Sequence, residues 1–545
     1  MAIVATGAML SSGLAQAGVA QAATPAAEYD LVIRGGRVLD GAGNPWVKAD
    51  VAVKGDRIVA IGAIAGHGKR EIDATGRYVS PGFIDMMDQS GQVFQTHGAA
   101  ENKLHMGVTT VFSGEGGTPV EAKDIGKYFK QLETQGIGVN FGTYYQAAQP
   151  RVKVMGDGEG APTAEQMEKM KAEVRVAMHA GVFGISTALI YPPSSFQSTS
   201  ELIELAKESG RCNGFYVSHM RDESADLVKA VNEAIEIGEK SGSKVEIFHL
   251  KAAYAPGWGK LMNKAVAAVN AARDRGVDVA ADLYPYTAGG TGLSITAPNW
   301  IFADGEAKGY ERLKDPEIRK RLKREVAAGS LPGWSNLVQS SGGWSRVVLA
   351  NSYSDRYKRF HNQSIEAIAK QLGQDPADTA WDIVLAGLPH RVMALFFMID
   401  ERDIATALHQ PWTSIGSDAG ASEKLGQIDG TGLPHPRAYG TFPRVIAEYV
   451  KKQHVLTLED AVRKMTSWPA TRMGVVDRGL IREGMRADMV VFDLARLDDV
   501  ASWEKPMQVP TGIDYVVVNG RLALAQGKVT GTRAGQVLRH SCPAS

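Results

Sequence analysis

Residues 215–221 read Phe-Tyr-Val-Ser-His-Met-Arg and residues 245–251 read Val-Glu-Ile-Phe-His-Leu-Lys. Each stretch is a short apolar strand pattern closing on a histidine, and His219 and His249 lie 30 residues apart. That is the length of one strand-plus-helix unit of a parallel sheet. The spacing therefore sets two imidazoles at one height on adjacent strand ends. Working outward, six further strand patterns appear, at Phe83–Met87, Val108–Ser113, Val139–Tyr145, Val182–Thr187, Val277–Leu283 and Thr413–Asp418. With Phe215–His219 and Val245–His249 they make eight. Helical patterns fill most of the gaps: Thr163 and Gln166 form a capping box before a helix running to about Ala180, which Gly181 stops. Alternating strands and helices imply a parallel sheet. Eight such units imply an α/β fold of the (β/α)8, TIM-like barrel type, with its site at the C-terminal strand ends. The gap from Tyr284 to Pro411 is too long for one crossover, so an insertion at about 287–410, with helices of its own, is expected over the barrel mouth.

The two ends of the chain differ from this middle. Residues 29–80 and 487–532 break into short alternating stretches punctuated by Gly, Asn and Asp, with Asn519-Gly520 as a hairpin signal. Such ends are expected to meet in one small β-sandwich. The domain reading is thus 24–80 and 476–545 for the sandwich and 81–475 for the barrel. Residues 1–23 carry no charge and end Ala-Gln-Ala-Ala, which reads as a leader segment without its basic start. The expected location is the periplasm or the exterior, and otherwise the cytoplasm.

The 545 residues include 60 Lys+Arg and 60 Asp+Glu, 44% hydrophobic and 22% charged residues, values of an ordinary globular chain. A disordered chain, a collagen and a disulfide-dense miniprotein are excluded, and the absence of a basic excess argues against a nucleic-acid partner. No later stretch is apolar enough to span a membrane, and the oligomeric state is left open. Cys212 and Cys542 are too few for a cysteine-based zinc site. A bridge between them is one reading; the burial habit of free thiols favours a core thiol at Cys212 and a tail residue at Cys542.

Neutral imidazole is a leading zinc ligand, so His219 and His249 are read as a metal pair. Asp418 ends the last strand pattern in Ile415-Gly-Ser-Asp418, where a carboxylate can ligate a metal, accept a proton from its water, or merely cap a turn. Glu115, in Ser113-Gly-Glu-Gly-Gly117, is a third ligand or a turn carboxylate. Lys251 and Arg221 each stand two residues beyond a histidine, near enough to hold a substrate carboxylate. Tyr284 and Tyr286 line the pocket or pack at the barrel end.

The chain resembles the amidohydrolase superfamily, in particular its D-aminoacylase (N-acyl-D-amino-acid deacylase) branch. The resemblance runs over most of residues 29–535 and rests on motifs in order: Asp30-Leu-Val-Ile-Arg-Gly-Gly36, Pro81-Gly-Phe-Ile-Asp85, Gly107-Val-Thr-Thr110, Tyr191-Pro-Pro193 and Ser218-His-Met-Arg221. It continues through His249-Leu-Lys251, Asp282-Leu-Tyr-Pro-Tyr286, Gly416-Ser-Asp418, His435-Pro-Arg-Ala-Tyr-Gly-Thr-Phe-Pro-Arg444 and Ala487-Asp-Met-Val-Val-Phe-Asp493. Two departures stand out. Met87 and Gln89 occupy the positions of the family's first-strand His-x-His, and thioether and amide are poor zinc ligands beside imidazole. Gly116 stands in the register of the family's cysteine ligand, with Glu115 one residue earlier as the replacement.

The resemblance implies a zinc-dependent hydrolase that removes the acyl group from an N-acyl amino acid. One zinc would be held by Glu115, His219 and His249, Asp418 would handle the proton, and Tyr191 would donate to the carbonyl oxygen. Hydrolysis of another amide (a dipeptide, a cyclic amide or a xenobiotic amide) and a non-catalytic ligand-binding role are the alternatives.

Overall fold

The computed structural model describes residues 1–2, 28–427 and 433–543; all but the first two residues of the expected leader lie outside them. Eight parallel strands dominate the middle of the chain: β1 (Phe83–Asp88), β2 (Val108–Ser113), β3 (Asn140–Thr143, resuming at Tyr145–Gln146), β4 (Gly184–Ala188), β5 (Phe215–His219), β6 (Lys244–Ile247), β7 (Val279–Leu283) and β8 (Thr413–Ile415). Neighbours pair in parallel in the order β1-β2-β3 and β3-β4-β5-β6-β7-β8. β8 returns to β1 through a parallel bridge between Asp88 and Ala419. Eight strands form at the eight expected patterns, β6 and β8 stopping short of His249 and Asp418, and their order runs as a ring.

Helices connect them, each burying its apolar stripe. Ala164–Ala180 begins with both arms of the capping box, Gln166 N to Thr163 Oγ1 and Thr163 N to Gln166 Oε1, and ends at Gly181 with φ 105°. Met170, Val174, Ala177 and Met178 form its buried face, at the three- and four-residue spacing of a helix packed on one side. Among the described residues no helix is long and apolar enough to cross a membrane.

The segment between β7 and β8 carries a three-stranded antiparallel sheet of Gly289–Gly292, Met393–Phe396 and Val347–Asn351, with helices at Pro316–Ala328, Ile365–Leu372 and Pro376–Gly387 among others. It places Gly289, Thr291, Leu337, Arg391 and Met393 in the wall of the pocket at the ring's C-terminal end. The chain ends meet as expected, within one nine-stranded sheet. Tyr78–Pro81 pairs antiparallel with Met489–Phe492, and Leu31, Ile33, Val51, Met489, Val491 and Val517 fill a separate apolar core.

The last residues then run back beside the starts of β3 and β4. Gly535 N donates to Ile137 O, Leu538 N to Phe141 O, and His540 N to Gly181 O. Cys542 thereby reaches Cys212, and the two form a disulfide across 330 residues. The reading of a free core thiol and a free tail cysteine is corrected: the tail is carried to Cys212 by backbone bonds between segments far apart in sequence. Such a crosslink restricts the unfolded chain and is typically worth about 2–4 kcal/mol. Cys212→Ser is expected to lower the unfolding free energy by that amount, read from denaturant midpoints, and an unchanged midpoint would contradict it.

Candidate metal and catalytic site

Glu115 sits on a turn after β2 that only glycine can shape. Gly117 has φ +55°, and a Cβ there would stand 2.7 Å from Tyr144 O. The turn aims Glu115 across the ring. Its Oε1 lies 2.8 Å from His219 Nδ1 and 2.6 Å from His249 Nε2. His219 ends β5, and His249 stands two residues beyond β6. The β6 pattern stops early because His249 adopts φ 37°, a left-handed conformation uncommon for a side-chain-bearing residue, with its N–H bonded to Asp282 Oδ1 at 2.8 Å. The structure thus brings Glu115, His219 and His249 together, with ligand atoms within 4.8 Å of one another.

Two imidazole nitrogens and one carboxylate oxygen are a donor set suited to zinc. The electrostatics agree. Burial and Lys251 push His249 down, but Glu223 and Glu115 outweigh them and raise its pKa to about 10. Burial pushes Glu115 up, yet the two histidines hold it well below the usual carboxylate range. The carboxylates thus favour positive charge on His249, and the imidazoles favour negative charge on Glu115.

Glu223 completes the support and was missed in the sequence, although it follows His219 by four residues. Its Oε1 lies 2.9 Å from His249 Nδ1 and 2.7 Å from Lys251 Nζ, and its Oε2 is 3.6 Å from His219 Nε2. A carboxylate behind a ligating imidazole fixes its ring orientation and tautomer.

Asp418 lies three residues beyond β8, also left-handed at φ 48°, with its N–H bonded to Met87 O at 2.8 Å. Gln89 Nε2 donates to its Oδ1 at 3.1 Å, and Arg437 Nη1 stands 2.8 Å from its Oδ2. Tyr191 Oη shares a hydrogen bond with Thr291 Oγ1 at 2.8 Å, and its ring lies 5.3 Å from that of His219. Burial pushes its hydroxyl pKa up, so it stays a proton donor. Glu115, Tyr191, His219, His249, Tyr284 and Asp418 all line one pocket.

Three sequence-level assignments change. Arg221 does not line the pocket: it forks onto Glu233, 2.9–3.2 Å away on the next helix, and onto Ser195 O and Gln197 O. Tyr286 is buried behind the pocket, donating to Asp499 Oδ2 at 2.8 Å. Lys251 reaches the pocket wall, but its ammonium is committed to Glu223 and to His249. The other cations lining the pocket are Arg437, paired with Asp418 through Nη1, and Arg391, neither singled out in the sequence. Arg437 is 5% exposed, and its Nε and Nη1 lack an aligned hydrogen-bond acceptor among the described residues. Arg391 Nη2 donates to Thr291 Oγ1 at 3.0 Å at the pocket rim. The signal for Arg437 was present in His435-Pro-Arg437: His435 Nδ1 accepts from Arg437 N, and its other nitrogen lies 3.0 Å from Ala288 O.

A family model described as the amidohydrolase family matches residues 360–523. The chain is 31% identical to the N-acyl-D-glutamate deacylase of Alcaligenes xylosoxydans xylosoxydans over 94% of this chain and 97% of that protein. Its fold matches the N-acyl-D-glutamate deacylase of Bordetella bronchiseptica, solved with zinc and a phosphonate mimic of the tetrahedral intermediate. The TM-score is 0.78 at 28% identity, over 94% of this chain and 99% of that chain. It also matches a D-aminoacylase described as having a binuclear metal centre with one-metal activation and second-metal attenuation, at TM-score 0.76 and 30% identity, over 94% of this chain and 100% of that chain. The chain belongs to the amidohydrolase family, among the homologues of D-aminoacylase and the N-acyl-D-amino-acid deacylases.

If Glu115 is a ligand, Glu115→Gln is expected to lower zinc content and activity together, because a neutral amide binds zinc poorly. Full zinc retention in Glu115→Ala, read by elemental analysis, would reduce Glu115 to a turn residue.

Proposed function

We propose that this protein hydrolyses the amide bond of N-acyl amino acids using one zinc ion held by Glu115, His219 and His249. The observation that carries the reading is the convergence of those three side chains with Asp418, Tyr191 and the Arg437 guanidinium in one pocket. Bound zinc supplies Lewis acidity, which polarises a carbonyl and makes a water a competent nucleophile near neutral pH.

The remaining steps belong to the chain's own residues. Asp418 accepts the proton of the attacking water on a carboxylate oxygen and passes it to the departing amine nitrogen. Tyr191 donates from Oη to the carbonyl oxygen as negative charge develops there. The substrate carboxylate goes to the part of the Arg437 guanidinium that Asp418 leaves unpaired, and Arg391 adds positive charge beside it. Tyr284 packs beneath Arg437, whose guanidinium lies 4.7 Å from the ring centre. The insertion supplies Leu337, Met393 and Met398, an apolar wall suited to an acyl chain. An exported location is part of the proposal, and the Cys212–Cys542 disulfide supports it, since such bonds persist in oxidising compartments.

The test is a screen of paired D- and L-N-acyl amino acids together with elemental analysis. Turnover of at least one class with close to one zinc per chain is expected. Ligand binding without turnover in the zinc-loaded protein would replace the enzyme by a binding protein. Asp418→Asn keeps the shape of the side chain but cannot take the proton. Its kcat is expected to fall about 10²–10⁴-fold with zinc retained. A variant that keeps most of its activity would remove Asp418 from the proton path.

A further inference from the structure

Gln89 stands at a position where the family resemblance calls for a histidine, yet its side chain is not idle. Across the seam where β8 returns to β1, three backbone contacts set Gln89 opposite Asp418. Asp418 N donates to Met87 O, Gln89 N donates to Ala419 O at 3.2 Å, and Asp88 bridges to Ala419. From there the Gln89 amide donates to Asp418 Oδ1 at 3.1 Å, while Arg437 stands at Oδ2. Met87 lies beside it, its Sδ 4.0 Å from Gln89 Nε2, and packs into the apolar cluster of Ile84, Met86, Phe112 and Phe215. Each oxygen of Asp418 therefore faces a donor of this chain. An amide nitrogen carries no lone pair for a metal, and an arginine carries a full positive charge that repels one.

We propose that Gln89 is a positioning residue: with Arg437 it holds Asp418 in place, and by covering that carboxylate it keeps the site to one metal. This rests on the proposed deacylase reading for the role of Asp418. It adds the reason that the base needs no second metal to orient it, and it names the residue responsible. Gln89 is neutral at every working pH, so Asp418 remains free to accept a proton on either oxygen while its direction is fixed.

The experiment combines metal counting with kinetics. Metal-free wild-type protein is titrated with zinc, freed of unbound ion, and analysed for bound metal. Saturation near one zinc per chain is expected even with zinc in excess, whereas a second tightly bound ion overturns the proposal. Gln89→His supplies an imidazole beside Asp418 and is expected to admit a second zinc; a count that stays at one overturns the amide as the barrier. Gln89→Ala is expected to lower kcat about tenfold, the worth of one hydrogen bond to a charged group, with KM and the first zinc unchanged. In an Asp418→Asn background the same change is expected to have no further effect, because Gln89 acts through Asp418. Wild-type kcat in Gln89→Ala, or a full additional loss in the double variant, overturns the positioning role. Absence of turnover on every N-acyl amino acid would instead sink the deacylase reading, while the two zinc counts would still decide the Gln89 inference.

Discussion

Lys103 is wholly buried, and its ammonium ties the first strand to the end of the last. It lies 2.8 Å from Asp85 and from Asp88, 2.8 Å from Ser417 Oγ and 2.7 Å from Ala419 O. Burial alone would strip a lysine of its charge, but the two carboxylates outweigh it and raise its pKa. Buried charges are costly unless paired and fully hydrogen-bonded, so this arrangement persists only with β1 and β8 side by side. Gly416 lets them come that close, since a Cβ there would stand 2.7 Å from Met87 Cβ and from Asp282 Oδ1. The direction of Asp418, the position of Gln89 and the shape of the pocket floor all follow from this seam.

The site above it is built from alternating charges. Glu115 and Glu223 face the two histidines from opposite sides, Lys251 neutralises Glu223, and Arg437 faces Asp418. Each carboxylate has a different partner, and so a different task. Glu115 looks into the cavity with the two imidazoles beside it, the position the proposed ligand role needs. Glu223 is turned to the back of His249 and fixes its ring. Asp418 is held by neutral and cationic donors and stays open to the pocket. The strained backbones of His249 and Asp418, both at positive φ, hold these side chains off the regular strand direction.

Much of this was legible in the chain. The apolar runs that end on His219 and His249 fixed the strand spacing, because strand periodicity and crossover length are local properties. Glu115 was visible as a carboxylate amid glycines. The misreadings share one cause, which is competition between partners. Arg221 was placed near the site by its offset from His219, but Glu233 on the following helix and two backbone carbonyls captured it. Lys251 reached the site and met Glu223 first. Arg437 was visible only inside the His435–Arg444 motif, because nothing local shows that its guanidinium turns onto Asp418.

The sequence by itself determined the alternation of strands and helices, the β character of the two ends, and the two histidines that close successive strand patterns. Those features depend on residue type and short-range spacing. Tertiary structure alone decided that Cys542 bonds Cys212, that Glu223 backs His249, and that Gln89 turns its amide to Asp418. Each of these contacts joins side chains whose meeting depends on packing and on which partner arrives first in a crowded, low-dielectric interior, where a polar group must find a partner.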